Sequence, residues 1–126
     1  MKKFMVVCFI TVLGFFITST LMAADEDEIE ANVNSVVEAI NDGKAPTDYK
    51  AEDFDPYVYI MDEDGVLLVH PSLQGQSIAT EQFKPIYEAI LQSTPKGVWV
   101  DYEWDGGTKE AYVRTTQDGL IVGSGN

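Results

Sequence analysis

Very little of this chain can do thiol, imidazole or cationic chemistry. It has one cysteine, Cys8, one histidine, His70, and eight lysines and arginines against 21 aspartates and glutamates, for a formal net charge of −13. Cys8 lies inside an apolar run, so the rest of the chain has neither a disulfide nor a thiol nucleophile and must stand on packing alone. A lone histidine with no cysteine beside it supplies no zinc ligand set and no nucleophile triad. The acidic field repels nucleic acid and anionic membrane surfaces. Phosphate-cradling loops and basic patches are absent from the sequence. Carboxylates are so frequent that no pair of them stands out as an acid–base couple. These absences point to a protein that is not an enzyme and needs no cofactor.

The N-terminus is of a different kind. Met1–Lys3 are basic at two positions, Phe4 to Met22 are apolar apart from Thr11, Gly14, Thr18, Ser19 and Thr20, and Ala23 and Ala24 precede an acidic run. That order is the signature of a secretory signal peptide. Residues 1–24 are therefore expected to be removed, leaving residues 25–126 as one periplasmic or secreted domain with no membrane contact of its own. The rival reading is a retained anchor, because the apolar run approaches the roughly 20 residues that span a bilayer.

Past the leader, DEDEIEANVNSVVEAIND (25–42) carries acids in its first turn, where they suit the helix dipole, and Ile29, Val33, Val36, Val37 and Ile40 on one face. Gly43 can end this helix. A loop with Pro46 and Pro56 follows. A second helix is expected in TEQFKPIYEAILQS, with Thr80 as cap, Phe83, Ile86, Tyr87, Ile90 and Leu91 as apolar stripe, and Pro85 confining the regular part to the later turns. The rest reads as strands with turn chemistry between them: VYIM–DEDG–VLLVH, then GVWVDYEW–DGGT–KEAYVRTT–QDG–LIVGSG. The fold class is α+β, with a five-stranded antiparallel sheet backed by an N-terminal helix and a second helix between strands 2 and 3.

Turn chemistry suggests strand registers. A hairpin centred on Gly106-Gly107 pairs Trp104 with Lys109 and Val100 with Val113, and a type I turn before Gly119 pairs Arg114 with Val122 and Tyr112 with Ser124. One face then carries Val98, Val100, Tyr102, Ala111, Val113, Ile121 and Gly123, the surface a helix packs on. The other carries Trp99, Asp101, Tyr112, Arg114 and Ser124, aromatic walls around one cation, one anion and two hydroxyls. Such a set suits a small-molecule pocket, with Arg114 as a fork for a carboxylate and Asp101 taking an amine or holding Arg114. The alternative is a solvent face on which Trp99 stacks with Arg114.

In YVYIMDEDGVLLVHP, the DEDG turn lacks the run of oxygen ligands and the distant glutamate of a calcium loop, and acidic turns are common for local hydrogen-bonding reasons. A type I turn there pairs Asp62 with Val66 and sets Val58 opposite His70, so that His70 shares a face with Val58 and Ile60, and Tyr59 with Leu67 and Val69. His70 is then a strand-end residue or a pocket donor.

The order of elements, with YVYIMDEDGVLLVHP, GQSI, KGVWVDYEW, KEAYV and LIVGSG, resembles an extracytoplasmic single Cache domain, a relative of PAS-like sensors, over roughly residues 27–126. The resemblance implies a long N-terminal helix backing the sheet and a small ligand, an organic acid or amine, on the other face. It places Asp62 and Gly65 in the first hairpin, His70 and Pro71 at its close, and Trp99, Tyr102, Trp104, Lys109 and Tyr112 in the later strands. Family members usually continue into a membrane helix and an output region, whereas this sequence stops at Asn126. The segment between first hairpin and second helix is also short, which implies a shallow lid. The expectation is a module that senses a small carboxylate-bearing metabolite through Tyr59, His70, Trp99, Asp101, Tyr112 and Arg114, with a membrane-bound receptor or kinase as signalling partner. The alternative is a protein–protein adaptor of the same fold that docks on a membrane sensor without binding a metabolite.

Overall fold

The computed structural model describes residues 25–125; the expected signal peptide, residues 1–24, lies outside the described residues. Helix α1 (Glu26–Asn41) starts at Asp25, whose carboxylate accepts the N–H of Asp27 at 3.0 Å, and Glu26, Asp27 and Glu28 fill the first turn. It ends where Gly43 and Lys44 donate to the carbonyls of Ile40 and Ala39. Its expected apolar stripe, Ile29, Val33, Val36, Val37 and Ile40, is buried. At ~1.5–3 kcal/mol per side chain, this stripe is the main force holding α1 to the sheet. Two short 3-10 turns, Pro46–Asp48 and Ala51–Asp53, lead to β1 (Tyr59–Met61) and β2 (Leu67–Val69). Helix α2 (Lys84–Ile90) precedes β3 (Val98–Trp104), β4 (Gly107–Thr115) and β5 (Ile121–Gly125).

The sheet runs β2-β1-β5-β4-β3, antiparallel throughout, so the last strand closes the gap between the first hairpin and the meander. This is the α+β architecture expected. The β4–β5 register is also as expected, with Tyr112 opposite Ser124 and Arg114 opposite Val122.

Three local expectations are corrected. The β3–β4 turn is centred on Asp105 (φ 53°) and Gly106 (φ 81°), a two-residue loop with both φ angles positive for which Asp-Gly is favoured. Trp104 therefore pairs with Gly107 and Val100 with Ala111. The register moves by two residues, which preserves the faces. In the first hairpin, Ile60 pairs with Val69 but Met61 with Leu67, which leaves Leu68 as a bulge. The extra residue reverses the alternation beyond it. Val69 joins Ile60 against α1, and His70 falls on the side of Tyr59. Lastly, Thr80 opens a turn, accepting from Phe83 at 3.2 Å, and does not cap α2. A helix from Thr80 would put Pro85 in its interior, against the carbonyl of Glu81.

The faces themselves are both covered. Helix α1 lies on the face of Trp99, Tyr112 and Val122, while α2 and the segment through Leu73 and Ile78 lie on the face of Val100, Ala111 and Val113. The side expected to lie open as a pocket is thus the one that α1 packs on.

The DEDG turn is an Asp turn. One carboxylate oxygen of Asp62 accepts the N–H groups of Asp64 and Val66, both at 2.9 Å, and Asp62 N–H donates to the Val66 carbonyl. Replacing Asp62 by alanine is expected to cost about 1–2 kcal/mol in urea denaturation, and by asparagine much less, since Asn keeps an acceptor. Equal losses for both would show that the carboxylate's charge, not this geometry, matters.

Candidate functional site

A cavity opens on the α2 side of the sheet. Its apolar lining is Leu67, Leu73, Ile78, Phe83, Ile86 and Ile90, and its polar groups come from Tyr57, Tyr59, Tyr102 and His70. Its volume is about 80 Å³, room for a few water molecules at about 30 Å³ each. No lysine, arginine, aspartate or glutamate lines it. Phe83 also stacks on Trp104, ring centroids 5.5 Å apart, and ties the entry turn of α2 to the end of β3.

Tyr59 is the most deeply placed of the polar groups. It pairs with Gly123 across β1 and β5, and its ring lies over that glycine so closely that a Cβ there would overlap it. The side chain is 8% exposed, and among the described residues its hydroxyl has no hydrogen-bond partner. Burial pushes its pKa well above the usual phenol range, with Tyr102 and then Tyr57 adding to the rise. Burial likewise raises Tyr102, with help from Tyr57, and raises Tyr57. All three phenols are therefore neutral and near one another.

His70 completes the set. Its Nδ1 accepts the backbone N–H groups of Ser72 (3.1 Å) and Leu73 (3.0 Å), which leaves the proton of the neutral ring on Nε2. Its ring meets Tyr57 edge-on at 5.3 Å. Burial lowers its pKa from 6.5, against a smaller upward pull from Glu52.

Of the expected site residues, Tyr59 and His70 line this cavity; Trp99, Asp101, Tyr112 and Arg114 lie on the α1 side of the sheet. Trp99 Nε1 donates to Glu30 at 2.6 Å, and its ring sits 5.6 Å from that of Tyr112, whose hydroxyl donates to the Lys96 carbonyl at 3.1 Å. Arg114 donates through Nε to the Pro95 carbonyl at 2.6 Å and through a terminal nitrogen to Asn34 at 2.9 Å, with Glu38 at 3.9 Å. Ser124 donates to the Tyr57 carbonyl at 2.7 Å. Asp101 is exposed opposite Glu110, in a shallow cleft with Glu26 and Trp99, and does not reach Arg114.

Tyr57 and Tyr102 were not expected as site residues. The available signal for Tyr102 was a phenol on an otherwise aliphatic face. Among the described residues no group of His, Cys, Asp and Glu side chains could hold a metal ion, and no helix is long and apolar enough to cross a membrane.

An antiparallel five-stranded sheet with a long N-terminal helix on one face and a small, mostly apolar cavity on the other is the architecture of a PAS-like sensor. The pattern of the family described as single Cache domain 2 matches residues 19–117, and the chain belongs to that family. It is accordingly an extracytoplasmic sensor module. Among solved structures, a methyl-accepting chemotaxis protein from Vibrio parahaemolyticus is similar at 18% identity and a TM-score of 0.49, over 88% of this chain and 93% of that one. A comparison with curated proteins finds no match.

Proposed function

We propose that the cavity under α2 binds a small organic acid or other carboxylate-bearing metabolite, reversibly and without turnover. The observation that supports this most is the buried Tyr59 hydroxyl, which has no protein partner among the described residues at the floor of an apolar cavity. A buried polar group without a partner is costly, and a ligand or water that supplies one is favoured there. The hydroxyls of Tyr57, Tyr59 and Tyr102 and Nε2–H of His70 offer donors to a carboxylate, while the aliphatic wall takes a short tail. A buried ammonium would find no carboxylate in the lining. In this reading Trp99, Tyr112 and Arg114 hold α1 in place, and Asp101 stays at the surface. Output passes to a membrane-bound receptor or kinase, with chemotaxis as the natural setting for such a pair.

The covered Arg114 face also suits an adaptor that binds no metabolite, and the same experiment separates the two readings. The purified exported protein is heated with short mono- and dicarboxylates, amines and amino acids, and hits are titrated calorimetrically. Saturation about 100-fold above Kd is expected to add ~2.7 kcal/mol of stability, a rise in Tm of roughly 10 °C or more. Tyr59→Phe is expected to weaken binding about tenfold. Stabilisation by amines alone would reject the carboxylate, and stabilisation by nothing would leave the adaptor.

A further inference from the structure

The turn after β2 is tied to the ring of His70. The two N–H groups that meet its Nδ1, from Ser72 and Leu73, are bound as an N-cap side chain binds the first free donors of a helical turn. The turn continues with Gln76 N–H donating to the Leu73 carbonyl at 3.0 Å and Gly75 N–H to the Leu67 carbonyl at 2.7 Å. Leu73, on this turn, and Ile78, just beyond it, are part of the cavity wall.

We infer that a proton is a second ligand of this module: taken up at Nδ1 of His70, it breaks both bonds, loosens residues 71–76 and opens the cavity wall. The inference rests on the reading of this cavity as the ligand site. In the step itself one N–H bond forms at Nδ1, the proton comes from solvent, and the ring gains one positive charge. An acceptor facing two donors becomes a third donor.

The groups around the ring set the direction. Tyr57 packs against it as a neutral phenol, and Tyr59 and Tyr102 are neutral phenols in the same cavity. Glu52, from the 3-10 turn Ala51–Asp53, favours the charged ring, but burial outweighs it. The folded protein thus binds this proton less readily than the unfolded chain does. The closed wall is fully present above the ordinary histidine value of 6.5 and is lost as the pH drops below it.

His70 is the chain's only histidine, so its ring nitrogens can be followed without ambiguity by NMR in the 15N- and methyl-labelled exported protein. Above neutral pH the Nε2–H tautomer is expected. A single titration should follow with a midpoint below 6.5. The Ser72 and Leu73 amides and the Leu73 and Ile78 methyl groups should shift with that same midpoint, and exchange of the two amides should accelerate about tenfold or more. His70→Asn keeps a non-titrating acceptor where Nδ1 stood and is expected to hold the turn while abolishing the pH-dependent shifts. An Nδ1–H tautomer, a midpoint at or above the ordinary value, methyl groups indifferent to the ring's charge, or the same shifts in His70→Asn would each overturn the inference. None of these readouts uses the metabolite, so a failed ligand screen above neutral pH strikes the binding reading separately.

Discussion

Replacing Gly123 by alanine is expected to destabilise the domain by about 2 kcal/mol and to abolish ligand-induced stabilisation. The reason is contact. Gly123 lies in β5, at the centre of the sheet, directly opposite Tyr59, and an added Cβ would sit inside the contact radius of Oη, Cζ and Cε1 of that ring. Tyr59 is buried and Gly123 is flanked by buried Val122 and Ser124, so the strands have little freedom to part. The ring's open direction is the cavity, and a phenol pushed into it takes the ligand's place. Overpacking of this kind costs about 1–3 kcal/mol, measurable in urea, and for a domain near 100 residues about 2 kcal/mol lowers Tm by roughly 10 °C. The control removes the ring first. In a Tyr59→Leu background, Gly123→Ala is expected to cost less than about 0.5 kcal/mol, since the partner of the clash is gone. An equal cost in both backgrounds would show that the glycine is there for some other reason than its neighbour's ring.

How much of this arrangement was legible in the sequence differs from element to element. Helix α1 was fully so, because its i, i+3, i+4 apolar spacing and acidic first turn point to the same answer as the packing. The β4–β5 register was legible because a turn closed at Gly119 leaves one way to pair Thr116 with Leu120. In the β3–β4 hairpin, Asp105-Gly106 and Gly106-Gly107 compete for the turn. The winning pair shifted every partner by two residues, and the faces survived only because two is even. The bulge at Leu68 had no signal at all: an extra residue is absorbed where the tertiary structure needs it, and it moved His70 from the face of Val58 to that of Tyr59.

The assignment of covers to faces was the larger difficulty. Trp99, Tyr112 and Arg114 have the chemistry of a pocket, and chemistry alone does not say whether the polar partner is a ligand or a helix. The answer was present at a distance in sequence. Glu30, Asn34 and Glu38 recur every four residues along α1, with Asn41 next in line, beside the apolar stripe rather than opposite it. They meet Trp99 and Arg114, and Asn41 meets the backbone of Gln117. A polar row at helical spacing bordering a buried row is what a helix needs to dock on a face that carries its own donors.

Arg114→Ala is accordingly expected to lower stability by about 2–3 kcal/mol while leaving affinity in the cavity unchanged. Two charge-assisted bonds are lost, at 2.6 Å to the Pro95 carbonyl and 2.9 Å to Asn34. Hydrogen bonds to a charged group are worth ~1.5–3 kcal/mol each, and partial exposure of the arginine holds the two together to about 2–3 kcal/mol, below their simple sum. The Glu38 contact adds little, because at 3.9 Å with a side chain 70% exposed it is a surface ion pair, worth less than about 0.5 kcal/mol. Glu38→Ala should therefore be nearly silent, and Arg114→Ala with Asn34→Ala should be less than additive by about 1 kcal/mol or more. Lysine is expected to rescue poorly, since a single ammonium cannot reach a carbonyl and an amide on different elements as the guanidinium fork does. Hydrogen exchange supplies the local readout. Amides of α1 should exchange faster in Arg114→Ala, whereas those of β1 and β2, which the bulge and the Asp62 turn hold, should not. A ligand clamp would give the opposite pair of results, near-normal stability with binding lost. That outcome would move the site to the α1 face and leave the Tyr59 hydroxyl without a partner to explain it.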